Sequence, residues 1–150
     1  MTTATDNMLK LEMKRTFAAS RERVFAAWTD PALITQWFGC HDSKCSGANI
    51  ELKVGGSYSV NISHEKMGQC KMAGTITEID PPAKLAFIFA WTGNEEMEQM
   101  PETLVTIDLV EVAGGTELTL THANVPVQEM ADSFKGGWTA SLDKLASILG

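Results

Sequence analysis

No stretch of this sequence is apolar for long enough to cross a bilayer as a helix, which takes about 20 residues. The first ten residues, MTTATDNMLK, lack the charged-then-apolar pattern of a secretory leader. Basic residues are scarce, with 12 Lys and Arg against 19 Asp and Glu, a net charge of −7. They form no run or stripe, so a nucleic-acid backbone is not an expected partner. Cysteine is sparse too: three residues at irregular spacing make no disulfide framework and suit a reducing compartment. No repeat or low-complexity tract is present. What is left is an acidic chain of 150 residues, most simply one domain over 1–150 with an ordered core over about 8–149. The expected location is the cytoplasm, without membrane insertion.

The richest pattern lies at the C-terminal end. Met130, Phe134, Trp138, Leu142, Leu145 and Leu149 recur at spacings of four and three, one face of a helix over about 127–149. Such a helix is roughly 34 Å long, so a broad surface has to cover its apolar stripe. Gly136-Gly137 interrupts it, at about 1 kcal/mol per glycine relative to alanine. Either another backbone packs closely there, or the helix bends and leaves room beneath it.

Near the N-terminus, Leu9, Leu11 and Met13 alternate with Lys10, Glu12 and Lys14, a half-buried strand reaching Phe17. Arg15 shares the apolar parity. Ser20 is the expected cap of a short helix carrying Val24, Phe25 and Trp28. Asp30-Pro31 starts a second, with the pairs Leu33/Trp37 and Ile34/Phe38, and Gly39 ends it. Together they form a wedge under part of the long helix.

From Ala48 to His122 the period is two. Inward candidates are Ile50, Leu52, Val54, Tyr58, Val60, Ile62, Met72, Ile76, Leu85, Phe87, Phe89, Trp91, Val105, Ile107, Leu109, Leu118 and Leu120. Turn signals divide them into six strands, seven with the first, in an antiparallel meander. Matching apolar faces sets the registers. Leu109 is expected opposite Leu120 and Ile107 opposite His122 across a Gly114-Gly115 loop. Ile62 is expected opposite Met72, Ile76 opposite Phe87 and Met72 opposite Trp91, with Gly74 beneath Phe89. At Gly55-Gly56 parity calls for a three-residue turn or a bulge. These registers bring His64, Cys70, Trp91 and His122 to one end of the inner face, near the start of the long helix. Val60, Phe87, Phe89, Ile107, Leu120, Met130 and Phe134 lie deeper.

The segments RVFAAWTDPALITQWFG at 23–39, VGGSYSV at 54–60, EIDPPAKLAF at 78–87, GGTELTLTHANVP at 114–126 and GWTASLDKLASIL at 137–149 resemble the bacterial Hsp90-ATPase-activator-homologue-like domains. These belong to the START/Bet v 1-like (SRPBCC) helix-grip superfamily, and the resemblance covers nearly the whole chain. It implies an α+β fold: a curved antiparallel sheet of six or seven strands on a C-terminal helix, with two small helices between strands one and two. It also implies an apolar cavity opening near the start of that helix. Cys40 stands where such proteins often carry Pro. The family is functionally mixed and does not by itself confer co-chaperone activity.

Three functions are open. The first is binding of a small apolar or amphipathic ligand in that cavity, with His64, Cys70, Trp91 and His122 at its mouth. The second is a protein-interaction module for a chaperone or another protein, as a monomer or homodimer. The third is an enzyme using His64 and His122 as acid and base. No nucleophile-base signature stands out, so catalysis ranks last and no catalytic residue is assigned. Cys40, His41 and Cys45 have a spacing that zinc accepts, but no second ligand pair follows, so neither metal nor cofactor is expected. Arg15 with Glu111 is expected as an ion pair, and Glu95, Glu96, Glu98, Met97 and Met100 as a loop at the mouth.

Overall fold

The computed structural model describes residues 9–38, 43–64, 68–92 and 101–149. In order these form β1 (Leu9–Phe17), α1 (Arg21–Thr29), α2 (Pro31–Ile34), β2 (Ser43–Ile50), β3 (Ser57–His64), β4 (Gly68–Asp80), β5 (Lys84–Thr92), β6 (Thr103–Val112), β7 (Gly115–Val125) and α3 (Gln128–Leu149). The seven strands make one antiparallel sheet in the order β1-β7-β6-β5-β4-β3-β2. The first strand thus pairs with the last, and the chain between them runs out to the far edge. This is the expected curved sheet on a long C-terminal helix.

The short helices begin where their caps dictate. The Ser20 hydroxyl accepts from the Arg23 N–H at 3.2 Å, and the Asp30 carboxylate accepts from Ala32 at 2.9 Å with Pro31 in the first position. α2 ends at Ile34, short of the expected Gly39, and the turn after it carries Trp37 and Phe38. The Trp28 and Phe38 rings meet α3, 5.8 and 5.7 Å from that of Trp138. On α3, Trp138, Leu142, Leu145 and Leu149 are buried as the stripe requires, joined by Ala131, Ala140 and Ser141. Met130 and Phe134 are half-buried.

Two registers differ from expectation by two residues each. Leu109 pairs with Leu118 and Ile107 with Leu120, while His122 faces Val105. Ile62 likewise faces Cys70, and Val60 faces Met72. The β3–β4 loop is tighter than expected, while the β6–β7 loop keeps two residues and is displaced by one; in both hairpins a slip of two keeps every side chain on its face. The β6–β7 loop moves to Ala113-Gly114 because Gly115 has another task. A Cβ at Gly115 would stand 1.9 Å from the Phe17 carbonyl oxygen, so the strand can approach β1 there only without a side chain.

The β4–β5 register is as expected, with Ile76 facing Phe87 and Met72 facing Trp91. At Gly74 a Cβ would stand 2.1 Å from the Ile88 carbonyl oxygen, so β5 approaches β4 there only without a side chain. Its neighbour on β3 is Tyr58, whose ring stacks on Phe87 at 4.2 Å.

β2 ends at Ile50, so Leu52 and Val54 are not inward; they are 50% and 64% exposed. The reason is the turn. Ser57 Oγ donates to the Glu51 carboxylate at 2.8 Å, and Gly55 and Gly56 hydrogen-bond with Ile76 on β4, which bends the chain off the strand path. Arg15 faces inward as its parity requires, but its ion-pair partner is Asp143 of α3, while Glu111 is exposed.

Candidate functional site

His122 sits where β7 passes beneath the first half of α3, and it is fully buried. The Trp138 indole N–H donates to its Nδ1 at 3.0 Å. Because an indole nitrogen can only donate, Nδ1 carries no proton, and the proton of the neutral ring lies on Nε2. Nε2 stands 2.6 Å from the Thr103 hydroxyl, which in turn donates to the Phe89 carbonyl at 3.4 Å. Phe134 stacks on the imidazole at 4.1 Å, and Phe89 lies 5.0 Å away. Desolvation lowers the His122 pKa from 6.5 to about 4. Both ring nitrogens are engaged, so His122 is a neutral fixed wall with no free position for proton transfer.

Beyond Trp138 is a second aromatic group, carried by α1 and the α2 segment. Trp28 and Trp37 meet edge to face at 4.6 Å, and both are fully buried. Trp37 donates to the Ala27 carbonyl at 2.9 Å. The Tyr58 hydroxyl donates to the Trp28 carbonyl, and the Cys45 thiol to the Phe38 carbonyl at 3.0 Å. Among the described residues the Trp28 indole N–H has no hydrogen-bond partner. Burial pushes the Cys45 thiol up to about 11 and the Tyr58 phenol well above its usual value.

Between β1 and the start of α3 lies a half-open groove of about 300 Å³. Leu9, Leu11, Met13 and Ala131 supply its apolar lining, and Lys10, Glu12, Gln128, Asp132 and Lys135 its polar one. Leu11 and Met13 are the cross-strand neighbours of His122 and Leu120, so the groove backs onto the inner layer. Gln128 donates to Asp132 at 2.9 Å on its rim.

Of the residues expected at the site, Val60, Phe87, Phe89, Ile107 and Leu120 are buried in the core. Trp91 is half-buried and stands edge-on to Phe89 at 5.3 Å. Met130 and Phe134 flank the groove residue Ala131 along α3, and Cys70 is buried on β4. The side chain of His64 lies outside the described residues, as do Cys40, His41, Glu95, Glu96, Met97, Glu98 and Met100. Among the described residues no three His, Cys, Asp or Glu side chains gather as a metal site requires. Sequence reasoning missed Thr103, although its parity with Val105 and Ile107 places a hydroxyl on the inner face. It also missed that Trp138 is a hydrogen-bonding partner and that the groove opens beside β1.

The family model described as Activator of Hsp90 ATPase homolog 1-like protein matches residues 18–150. The chain belongs to this family. Among solved structures, it is similar to the AHSA1 protein of Silicibacter pomeroyi at 26% identity and a TM-score of 0.81, covering 94% of this chain and 97% of that one. A protein of Rhodobacter sphaeroides matches at 26% identity and a TM-score of 0.78, covering 98% and 93%. One of Chromobacterium violaceum shares the fold at 22% identity and a TM-score of 0.80, covering 94% and 97%. No curated protein matches the chain. Membership supports a ligand-binding or interaction domain in general terms. No helix among the described residues is long and apolar enough to cross a membrane.

Proposed function

We propose that the domain binds a small apolar or amphipathic molecule between the sheet and α3. The observation that carries this reading is the groove between β1 and the start of α3. Its volume of about 300 Å³ is at the lower end of small-molecule sites, and its apolar floor with charged rim suits an amphipathic guest. Leu9, Leu11, Met13 and Ala131 form the groove's floor. Behind them, the inner layer of Phe89, Trp91, Met130, Phe134 and Cys70, over Val60, Phe87, Ile107 and Leu120 with His122 as a rigid wall, is proposed as the surface a larger guest would reach. Native mass spectrometry of the purified protein is the first test, for a co-purifying molecule. The second is titration with an apolar fluorescent probe. Leu11→Trp at the groove is expected to weaken probe binding about tenfold while costing under ~1 kcal/mol, because the added bulk enters the open groove. Unchanged probe binding in this variant rejects the site.

A second reading rests on Leu52 and Val54, two exposed apolar side chains on the β2–β3 turn. They suit a contact with a protein partner, a chaperone among the candidates. Loss of a captured partner in Leu52→Asp/Val54→Asp, with probe binding intact, favours this reading.

A further inference from the structure

The groove beside β1 is lined by five consecutive residues of that strand, Leu9 to Met13, and not by every second one. Successive side chains of a strand point to opposite faces, so both parities can line one hollow only where it reaches around the backbone. It can do so here because β1 ends the sheet. Its outer side carries a row of N–H and C=O groups that no strand among the described residues takes up. The other edge, β2, is blunted. It bulges by one residue between Cys45 and Gly47, and its Cys45 thiol is tied to the Phe38 carbonyl. The irregularity near Leu9 is of the opposite kind. Its extra residue lies in β7, where Asn124 has φ +64°, and β1 itself stays regular.

We propose that the β1 edge is a homodimer interface, at which a second copy of this chain lays its own β1 antiparallel to the first and joins the two sheets into one. Charge selects this occupant and its register. Lys10 and Glu12 are exposed and form no ion pair among the described residues, and Glu12 faces the uncharged Thr121 on β7. A lysine on an edge strand ordinarily keeps copies apart, because each brings the same charge. A lysine two places from a glutamate does so in one register and does the reverse in the next. With a twofold axis at Leu11, Lys10 of each copy stands opposite Glu12 of the other, Leu11 meets Leu11, and Leu9 meets Met13. An axis at Glu12 would set Glu12 against Glu12 and Lys10 against Lys14. An axis at Met13 would set Leu11 against Arg15, which Asp143 holds. Of the three, the Leu11 axis alone matches opposite charges and keeps apolar against apolar. The pairing uses the backbone edge, so it goes beyond the ligand-binding reading and does not depend on it. About five residues a side fall short of the ~1,600 Å² of a standard interface, so the dimer is weak and reversible.

Sedimentation velocity of the intact protein, over a concentration series up to about 0.5 mM, measures the association. Lys10→Glu and Glu12→Lys are each expected to weaken it about tenfold, since each turns both attractive pairs into repulsive ones. The double variant Lys10→Glu/Glu12→Lys rebuilds the pairs with their signs exchanged and should associate within about twofold of the native protein. The two single variants, mixed in equal amounts, should also associate again, because each supplies the charge the other lacks. Both positions are exposed, so all the variants keep the native Tm and the losses report association alone. A native protein that stays monomeric throughout the series overturns the interface. So does a dimer indifferent to both single reversals, or one that neither the double variant nor the mixture restores. A dimer lost in Leu52→Asp/Val54→Asp and kept in the β1 variants moves the contact to the β2–β3 turn and overturns it as well.

Discussion

Trp138 stands between two aromatic groups that treat their polar atoms in opposite ways. On its β7 side, His122 is held at both nitrogens and Thr103 passes the chain on to Phe89. On its α1 side, Trp28 packs as tightly but leaves its N–H unmade. Both groups bind α3 to the rest of the fold. The first does so by directional bonds that fix one arrangement; the second does so mainly by ring contacts. His122, the more conspicuous residue in the sequence, therefore has no free nitrogen to offer.

The largest expected effect comes from removing the residue the two groups share. Trp138→Ala should cost about 5 kcal/mol, the upper part of the range for a buried tryptophan, because it also strips His122 of its donor. Urea denaturation measures this, and a loss under about 1 kcal/mol would show that Trp138 holds neither group.

The His122 side alone should respond to acid. Its folded pKa of about 4 lies below the 6.5 expected unfolded, so between these values the unfolded chain binds the extra proton. Stability is therefore full above pH 6.5 and falls by about 3 kcal/mol as pH drops to 4, then levels as the folded imidazole charges. Denaturation curves across pH 3.5–7.5 report the slope. His122→Leu should flatten this contribution, and an unaltered slope in that variant would assign it to other groups.

His122→Leu at neutral pH is the next smaller change. It leaves the Trp138 N–H buried and unpaired, as Trp28 already is, and should cost about 2 kcal/mol. Adding Trp138→Phe should then cost less than it does in the native background, since the orphaned donor is removed with the ring. Strict additivity in this cycle would dissolve the contrast between the two groups.

The smallest effect concerns Gly136 and Gly137, just before Trp138. A Cβ added at either meets nothing within 4 Å, so close backbone packing does not account for them. Gly136→Ala and Gly137→Ala should each raise stability by roughly 0.5–1 kcal/mol. A fall in probe affinity alongside that gain would link the glycines to entry beneath α3, and unaltered affinity would separate them from it.

Much of the fold was legible in the residues themselves. Period-two alternation named β1 and β3 to β7 and only the end of β2, which starts at Ser43, ahead of that alternation. The stripe from Met130 to Leu149 named α3, and Ser20 and Asp30-Pro31 named the starts of the short helices. These are local signals, in which residues one turn or two positions apart must share a face. Even where two hairpins slipped, the slip was by two, because a slip of one would have turned the apolar side chains out to water. Leu52 and Val54 were misread because alternation continues through them, while the bend that exposes them comes from Ser57, Gly55 and Gly56 bonding to Glu51 and Ile76.

The site was legible only in outline. Composition and parity brought His122, Trp91 and Phe89 to one end of an apolar interior. Only the tertiary structure decided that His122 is bonded at both nitrogens, that Arg15 reaches Asp143 and that the groove opens beside β1. Each of these turns on two atoms, distant in sequence, coming within about 3 Å or failing to. Periodicity reports which face a side chain is on, whereas hydrogen-bond pairing depends on how far and at what angle that face meets another.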